Sequence, residues 1–405
     1  MNPTFPMKIL VVSPRFPSPA LPMRGLSSNE QFRLLREVGH EVRAVVPQAW
    51  APPGIPLPQW RRRRAVPVVE TDHGVEIAHP RYLSLGPIMR MPFSTAFRRR
   101  LFWNALQPFV ASFAAGGGHI VHAHSSALPG CMVGRTGNAK LVVSMLDDEL
   151  FDVAPASPAW RRAITDTLRR ADAVVYLSPL LMRIGLEAAG PHQACVIPLA
   201  IDVYDDLRPH RADTFTVSTA ARLIERKKVH VLIEAFVALR REVPGARLVV
   251  IGDGPERHRL EELAARLGAA QAVQFTGHLT HREVVTRIAE SHVFVLPSIR
   301  ESLGTVYFEA MSQGVPVVGT VGEGIADFIE DGEDGFLVPP NDPEPLVRVM
   351  RALHGAPDLS RRIAEAGRGR FEQSGVRWAD SVSAHLELFE RLIRAAHPNA
   401  RFWSR

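Results

Sequence analysis

The chain has 405 residues, of which 46% are hydrophobic, so it is long enough for two domains that each bury a core of their own. No apolar run reaches the ~20 residues that cross a bilayer, and the first residues lack the long apolar run and cleavage site of a signal peptide. The two cysteines, Cys131 and Cys195, are too few for a disulfide framework. These features predict a cytoplasmic protein without a membrane-spanning segment.

The positive charge of the chain is concentrated in one segment. The formal net charge is +6, and the segment 61–100 alone carries nine arginines against three acidic residues. The rest of the chain is therefore balanced, and the local excess predicts a surface that meets an anionic partner. The arginines are Arg61, Arg62, Arg63, Arg64, Arg81, Arg90, Arg98, Arg99 and Arg100.

Apolar runs alternate with stretches of helical periodicity along the whole chain. The runs lack the polar alternation of half-exposed strands, so they predict strands that are buried on both faces of parallel sheets. This alternation indicates an α/β fold with doubly wound sheets. The strand candidates are KILVV, EVRAVV, HIVHA, KLVVSM, DAVVYL and ACVIP in the first half, and TFTVSTA, ARLVVIG, AVQFTG, HVFVLP and VPVVGT in the second.

Two segments of the first half fall outside this alternation. The segment 50–64 is rich in proline and predicts a loop. The segment 94–113 combines clustered arginines with large apolar residues, which is typical either of a helix on a membrane surface or of a core-facing helix with a solvated arginine edge. The sequence leaves both interpretations open. The apolar residues are Phe97, Leu101, Phe102, Trp103, Leu106 and Phe109.

The series of strands and helices restarts after residues 199–213, a segment that contains proline and aspartate. We therefore expect an amino-terminal domain over 1–205 and a carboxyl-terminal domain over 206–380. Residues from about 376 to 396 predict one long helix. The segment 381–405, which follows the second domain and contains most of this helix, is expected to pack back on the first domain.

Two glutamates lie at one strand end in the second domain. In a doubly wound sheet, ligands bind beyond the carboxyl ends of the strands, where helices begin. The sequence PSIRESLGTVYFEAM at 297–311 follows a predicted strand, and its helix start would offer N–H groups to a diphosphate. Glu301 would point into the site and Glu309 could accept hydroxyl hydrogen bonds from a ribose or a sugar ring. The predicted contacts at the helix start are Ser302, Leu303, Gly304 and Thr305.

Other strand ends of the same domain supply matching groups. Arg222 and Lys227 follow the run TFTVSTA and could neutralise a pyrophosphate. Gly252 and Gly254 occupy the turn after ARLVVI and would let the backbone approach a ligand closely. Two isolated glutamates are more often capping or surface acids, but several such motifs in order favour a sugar-nucleotide site.

In this order of motifs the chain resembles the retaining family 4 glycosyltransferases of GT-B fold. The resemblance covers nearly the whole chain and is strongest over residues 215–345. The runs MKILVVSPRFP and HIVHAHSSALPG look like those of members that act in teichuronic acid and exopolysaccharide assembly. The resemblance implies two Rossmann-like domains facing across a cleft, with the acceptor on the first domain and the nucleotide sugar on the second.

The resemblance also implies roles for single residues. The Glu-x7-Glu signature of the family falls on Glu301 and Glu309, and its diphosphate-binding cations fall on Arg222 and Lys227. In the family, the second histidine of a His-x-His pair lies by the donor sugar, and that position is His124. A lone histidine is more often a core or surface residue, but a position directly after an apolar strand favours His124 as a site residue.

The chain departs from the family pattern at three places. The Gly-Gly loop after the first strand is reduced to Gly25, which is still expected to contact the donor. Leu146 stands near a position where many members have a histidine, so no role is assigned to it. The linker has Leu199 and Ala200 in place of Asn-Gly.

The predicted reaction is transfer of a hexosyl-type sugar from a nucleoside-diphosphate sugar, with retention of anomeric configuration. The resemblance implies a front-face mechanism in which the leaving phosphate accepts the acceptor's proton, without a metal or a cofactor besides the donor. The catalytic residues are then His124, Glu301, Arg222 and Lys227. The acceptor is expected to be lipid-linked or a polysaccharide, and the segment 61–113 would contact the inner face of the cell membrane.

Three alternatives remain. A sugar-nucleotide 2-epimerase would share the architecture but release an epimerised sugar without an acceptor. A nucleic-acid-directed glucosyltransferase or binder is suggested by the arginines, but no nucleic-acid module is present and the basic segment is interleaved with aromatic residues. A binding protein without catalysis would not require the complete donor set. The sequence sets neither the donor base and sugar nor the acceptor.

Overall fold

The chain divides into two compact units, which are described separately. The first comprises Met1–Leu177, Leu181–Leu199 and Ala379–Arg405, and the second comprises Ser178–Leu180 and Ala200–Trp378. The computed structural model describes residues 5–13, 26–50, 64–83, 95–124, 130–131, 133–134, 136–146, 150–151, 157–207 and 211–396.

The described strands are short and lie between helices for most of the chain. The strands are β1 (Lys8–Val12), β2 (Glu41–Val45), β3 (Gln48–Trp50), β4 (Val69–Asp72), β5 (Val75–Ala78), β6 (Arg81–Leu83), β7 (Ile120–Ala123), β8 (Lys140–Met145), β9 (Ala173–Tyr176), β10 (Ala194–Val196), β11 (Thr216–Ala220), β12 (Arg247–Ile251), β13 (Val273–Gly277), β14 (Val293–Val295), β15 (Val317–Thr320) and β16 (Phe336–Val338). The helices are α1 (Leu26–Glu37), α2 (Thr95–Ala115), α3 (Pro158–Arg170), α4 (Pro179–Ala189), α5 (Val229–Arg240), α6 (Arg257–Arg266), α7 (His281–Ala289), α8 (Thr305–Ser312), α9 (Pro343–Gly355), α10 (Pro357–Gln373) and α11 (Trp378–Ala396).

The first unit is built on an eight-stranded sheet of order β10-β9-β8-β7-β1-β2-β5-β4. All its strand pairs are parallel except β4 with β5, which form an antiparallel hairpin at the edge of the sheet. The hairpin turns at His73 and Gly74, both of which have a left-handed backbone. A separate two-stranded sheet pairs β3 with β6. Trp50, expected to begin a loop, ends β3 instead, and residues 51–63 of that loop lie outside the described residues.

The long carboxyl-terminal helix α11 belongs to the core of the first unit. Its apolar residues recur at helical spacing and are buried in one cluster with residues of β1, β7 and α1. Burying a side chain of this size contributes about 1.5–3 kcal/mol, so the helix contributes substantially to the stability of this unit. The helix residues in the cluster are Val382, Leu388, Phe389, Leu392 and Ile393.

Much of the apolar surface of α2 is buried within the protein. Phe102, Leu106, Val110 and Phe113 are all buried. The ring of Trp103 packs so closely on Gly134 that a Cβ there would lie 2.7 Å from it. These contacts favour the core-facing interpretation of this segment over the membrane one. Among the described helices, none has the length and hydropathy needed to cross a bilayer.

The second unit contains a six-stranded sheet of order β13-β12-β11-β14-β15-β16, and all its strand pairs are parallel. Apolar residues of its strands are buried in one cluster with residues of helices such as α5 and α9. The prediction of an α/β fold with doubly wound sheets is confirmed. Because β11 and β14 are neighbours in space, the strand order reverses between them, which makes this a topological switch point.

Candidate active site

Two loops meet at the switch point of the second sheet. One follows β11 and contains a short 3-10 helix over Glu225–Lys227, and the other follows β14. The N–H of Ile299 donates to the carbonyl of Arg226 at 2.8 Å, and the Arg226 guanidinium donates to the carbonyl of Arg300 at 2.8 Å. These bonds hold the two loops together, so residues 74 positions apart in sequence become neighbours.

The side chains of Lys227 and Glu301 form an ion pair between these loops. The side chains are only 13% and 8% exposed, so solvent screens the pair weakly. The backbone N–H of Glu301 also donates to a carboxylate oxygen of Glu323 at 2.7 Å. If either member of the ion pair is removed, the other remains as an unpaired charge in a largely dry environment.

The turn that leads into α8 follows Glu301 directly. Gly304 precedes the helix in a left-handed conformation, with a φ of 75°, and a Cβ at this position would lie 2.6 Å from the Tyr307 ring. Gly304 has no side chain to cap the helix, and the N–H of Tyr307 donates to the Gly304 carbonyl at 3.0 Å, so the N–H groups before it could bind an anion. Ser302 and Leu303 are buried beside this turn, and Thr305 is half-buried.

Glu309 lies one turn further along α8 and is also buried. One of its carboxylate oxygens, Oε1, accepts a hydrogen bond from Nε2 of His281 at 3.1 Å. The other ring nitrogen of His281, Nδ1, lies 3.0 Å from the hydroxyl of Tyr204. The hydrogen bond to the Glu309 carboxylate raises the pKa of His281 above its ordinary value.

A cavity of about 510 Å³ opens at the carboxyl ends of β11, β12 and β13. Arg222 lines it together with Gly252 and Gly254, and an apolar wall is formed by Leu279 and Val306. Asp253 and His278 line it as well. The cavity therefore combines charged and polar side chains, backbone surface and an apolar wall, which suits the base and ribose of a nucleotide.

The two glycines of this cavity also satisfy a packing requirement. A Cβ on Gly252 would lie 2.1 Å from the carbonyl oxygen of Ala221, and a Cβ on Gly254 would lie 2.3 Å from that of Leu223. Gly252 has a φ of 119° as well, which L side chains rarely adopt. The glycines thus let the loops after β11 and β12 pack against each other, a role that does not depend on ligand binding.

His124 lies in the first unit, directly after β7. Its ring is fully buried, packs edge-on against Phe32 at a centroid distance of 4.9 Å, and contacts no hydrogen-bond partner among the described residues. Burial lowers the pKa of His124 to about 3, so the ring is neutral. His122 is equally buried and pairs with the Ser144 hydroxyl at 2.7 Å. Gly25 lies outside the described residues.

The structure thus brings together Lys227, Glu301 and the helix start of the second unit, and places Arg222 in the adjacent cavity. Sequence reasoning did not single out His281 or Glu323, which contact the two predicted glutamates. A signal for Glu323 was present, because Gly-Glu-Gly follows a predicted strand. Among the described residues, no group of three or more potential ligands could hold a metal ion, and metal independence stays a prediction.

Comparison with known proteins places most of the chain in one family. Residues 206–370 match the family described as glycosyl transferases group 1, and residues 27–200 match the glycosyl transferase 4-like domain. The lipopolysaccharide core biosynthesis glycosyltransferase LpsE of Rhizobium meliloti is 37% identical over 181 residues, which are 44% of this chain and 50% of that protein. The chain thus spans about half the length of several curated relatives that it matches.

A second relative and a solved structure extend the comparison. The GDP-mannose-dependent alpha-(1-6)-phosphatidylinositol monomannoside mannosyltransferase of Mycolicibacterium smegmatis is 29% identical over 288 residues, covering 64% of this chain and 74% of that protein. The structure of Anabaena HepE in complex with UDP has a TM-score of 0.73 at 18% identity, covering 95% of this chain and 100% of that one, which shows the fold. The chain belongs to the group 1 glycosyltransferases of family 4, with the GT-B fold.

Proposed function

We propose that this protein transfers a sugar from a nucleoside-diphosphate sugar to an acceptor hydroxyl, with retention of anomeric configuration. One observation carries the proposal. The largely buried ion pair of Lys227 and Glu301 lies beside the uncapped start of α8, at the switch point of the second sheet. A cation, an acid and free N–H groups at such a point suit a diphosphate joined to a sugar.

The chemical difficulty of this reaction is the departure of the diphosphate. The bond between the anomeric carbon and the phosphate oxygen breaks while the acceptor oxygen bonds to the same carbon, and the acceptor's proton passes to the leaving phosphate. Negative charge develops on that phosphate in the transition state. Lys227, Arg222 and the N–H groups at the start of α8 would stabilise this charge, which is the largest contribution expected from the protein.

The two glutamates would bind the hydroxyl groups of the donor. We assign Glu301 to the transferred sugar, because its carboxylate pairs with Lys227 and its side chain lies beside Gly304 at the helix start. We assign Glu309 to the ribose, because it lies a turn further along α8 and keeps one carboxylate oxygen beyond the bond to His281. The role expected for His124 stays a prediction.

The donor and the acceptor are proposed from the relatives. HepE has been crystallised with UDP-glucose, and the Mycolicibacterium relative is named as GDP-mannose-dependent, so UDP- and GDP-sugars are the first donors to test. The relatives include a lipopolysaccharide core enzyme and a phosphatidylinositol mannoside enzyme, which favours a glycolipid or polysaccharide acceptor. An acceptor of this kind would place the protein at the inner face of the cell membrane, which the arginines of 61–100 could contact.

A screen of donors tests the proposal directly. Purified protein is incubated with UDP-, GDP- and ADP-sugars, with and without a glycolipid extract, and release of the nucleoside diphosphate is measured. We expect release from one class of donor that rises on addition of the acceptor. An epimerised sugar formed without any acceptor would instead identify a 2-epimerase, and the absence of binding to every nucleotide would refute a donor site.

A further inference from the structure

The imidazole of His281 links the buried Glu309 carboxylate to the segment that precedes the second sheet. His281 is the first residue of α7 and is 40% exposed, whereas the Glu309 side chain is only 10% exposed. On its other side, His281 contacts Tyr204 and lies 3.8 Å from a carboxylate oxygen of Asp202. The ring therefore occupies a fixed place between two elements.

The hydrogen bonds of this ring are complete in either protonation state. When the ring is neutral, the Tyr204 hydroxyl can donate to Nδ1, which leaves the proton on Nε2 to be donated to Glu309. When the ring is protonated, both nitrogens donate, Nδ1 to the Tyr204 hydroxyl and Nε2 to Glu309. In both states Oε1 of Glu309 is held by His281, so its second oxygen, Oε2, keeps a defined direction.

The segment that holds His281 is itself anchored. Asp202 accepts a hydrogen bond from the indole N–H of Trp378 at 2.8 Å. The backbone of Tyr204 lies within reach of the Gln313 amide, at 3.4 Å, beyond the end of α8. Asp202 and Trp378 each lie within three residues of a point where the chain passes between the two units. The residues that contact His281 on this side, Asp202 and Tyr204, are thus themselves held by hydrogen bonds.

We propose that His281 is a positioning residue for the donor: it orients the Glu309 carboxylate toward the ribose hydroxyls, and its protonation strengthens donor binding. The proposal rests on the proposed function, in which Glu309 binds the ribose. It assigns a role in donor binding to a residue outside the Glu-x7-Glu signature and identifies a pH-dependent contact in this chain.

The direction of the pH dependence follows from the charges around the ring. The groups that face His281 are Glu309 on α8 and Asp202 and Tyr204 on the preceding segment. The hydrogen bond and charge of Glu309, and the charge of Asp202, raise the pKa of His281, and burial opposes them. Arg282 on the same helix forms an ion pair with Asp206 at 2.6 Å, which reduces its effect on the ring.

A protonated His281 adds a positive charge beside a site for an anionic diphosphate. Donor affinity should therefore be highest at pH values below the raised pKa of His281 and should fall as the pH increases through it. Because the neutral ring still donates to Glu309, the fall should be partial. A variant without any hydrogen-bond donor at position 281 should bind the nucleotide more weakly at every pH.

Binding of UDP, GDP and ADP to the full-length protein, measured by calorimetry from pH 5.5 to 8.5, tests this proposal. For whichever nucleotide binds the wild type, His281→Ala should weaken binding about tenfold, the effect of losing one charge-assisted hydrogen bond. His281→Gln should restore most of the affinity, because its amide can donate to Glu309 without carrying a charge. The ratio of wild-type to His281→Gln affinity should fall as the pH rises, and this ratio cancels the titration of the nucleotide itself.

The chain offers a matched control in another histidine–glutamate pair. His258 lies 3.4 Å from Glu262 on α6 and is 84% exposed, so His258→Ala should leave both affinity and its pH dependence unchanged. If Glu309→Ala loses the nucleotide while His281→Ala binds it as the wild type does, the positioning role is wrong. A constant ratio across the pH range would overturn the protonation effect. If the wild type binds none of the three nucleotides, the proposed function fails first.

Discussion

At the residue scale, the ion pair of Lys227 and Glu301 would serve the proposed transfer at a cost in stability. Both side chains are largely buried, so each is stabilised chiefly by the other. A buried pair of this kind is weak evidence for net stability, because desolvation offsets most of the attraction. The presence of both charges at the switch point is better explained by what each would do to a bound sugar diphosphate.

Replacement of either member should abolish transfer. We expect Lys227→Ala and Glu301→Ala each to lower kcat/KM by about a hundredfold or more, because each removes a group that stabilises the transition state. Each single variant should also lose up to about 3 kcal/mol of stability, since a buried charge is left unpaired. The measurements are nucleotide release and denaturant unfolding of each variant.

A double variant separates the two effects. Lys227→Ala with Glu301→Ala should be inactive, yet more stable than the less stable single variant, because neither charge is left alone. Lys228→Asn is the control, since Lys228 pairs with Glu225 and its left-handed backbone suits asparagine. Unchanged turnover in Lys227→Ala would contradict the phosphate role.

The sequence predicted the charged centre of this site but not its supporting residues. Lys227 and Glu301 lie in the loops that follow two predicted strands, so the α/β pattern placed both at one edge of a sheet. His281 begins α7, 28 residues from Glu309, without a local signal for that contact. The Gly-Glu-Gly around Glu323 marks a strand end but does not indicate its partner Glu301, 22 residues away. Their roles depend on the path of each loop, which apolar periodicity does not specify.

At the element scale, buried strands were predicted from the sequence more often than exposed ones. The strands β1, β7, β11 and β15 are buried along almost their whole length and were predicted. The hairpin of β4 and β5 was missed because β4 lies at the sheet edge, where exposed and half-buried residues alternate and the apolar signal is weak. The strands β3, β6 and β16 have three residues each and were missed, whereas the equally short β10 and β14 were predicted because each lies in a longer apolar run.

The loops after β11 and β12 depend on the two glycines that separate them. Gly252→Ala and Gly254→Ala should each destabilise the second unit by about 1–3 kcal/mol, because the new methyl group meets backbone atoms that cannot move aside. Nucleotide binding should weaken with them, since both glycines line the cavity. Thermal unfolding and calorimetric binding of the two variants test this expectation.

A glycine in open space provides the control of opposite sign. Gly369 lies inside α10, and a Cβ there would meet nothing within 4 Å. Gly369→Ala should therefore stabilise the protein by about 0.5–1 kcal/mol through helix propensity alone. If Gly252→Ala were as stable as Gly369→Ala, the close approach of the two loops would be wrong.

At the scale of the whole molecule, the two units differ in their buried histidines. In the first unit, the rings of His122 and His385 lie 5.6 Å apart between centroids, and the ring of His124 lies close to that of His122. This histidine cluster joins α11 to the end of β7. Burial lowers the pKa of His385 to about 4 and that of His124 to about 3. In the second unit, His292 has a lowered pKa and His281 a raised one, so their effects on stability oppose each other.

The first unit should consequently be the more sensitive to mild acid. Below pH 6.5 an unfolded chain protonates these histidines while the folded unit keeps them neutral, so stability present above pH 6.5 is lost as the pH falls toward about 4 and about 3. Each ring then costs about 2 kcal/mol by pH 5. Hydrogen exchange followed by mass spectrometry at pH 7 and pH 5 should show β7 and α11 losing protection before β11 and β12 do. His385→Leu should reduce this loss of stability by the contribution of one histidine. Replacement of the exposed His258 by glutamine should leave the loss unchanged. Equal acid sensitivity of both units would show that the cluster is hydrated or already charged.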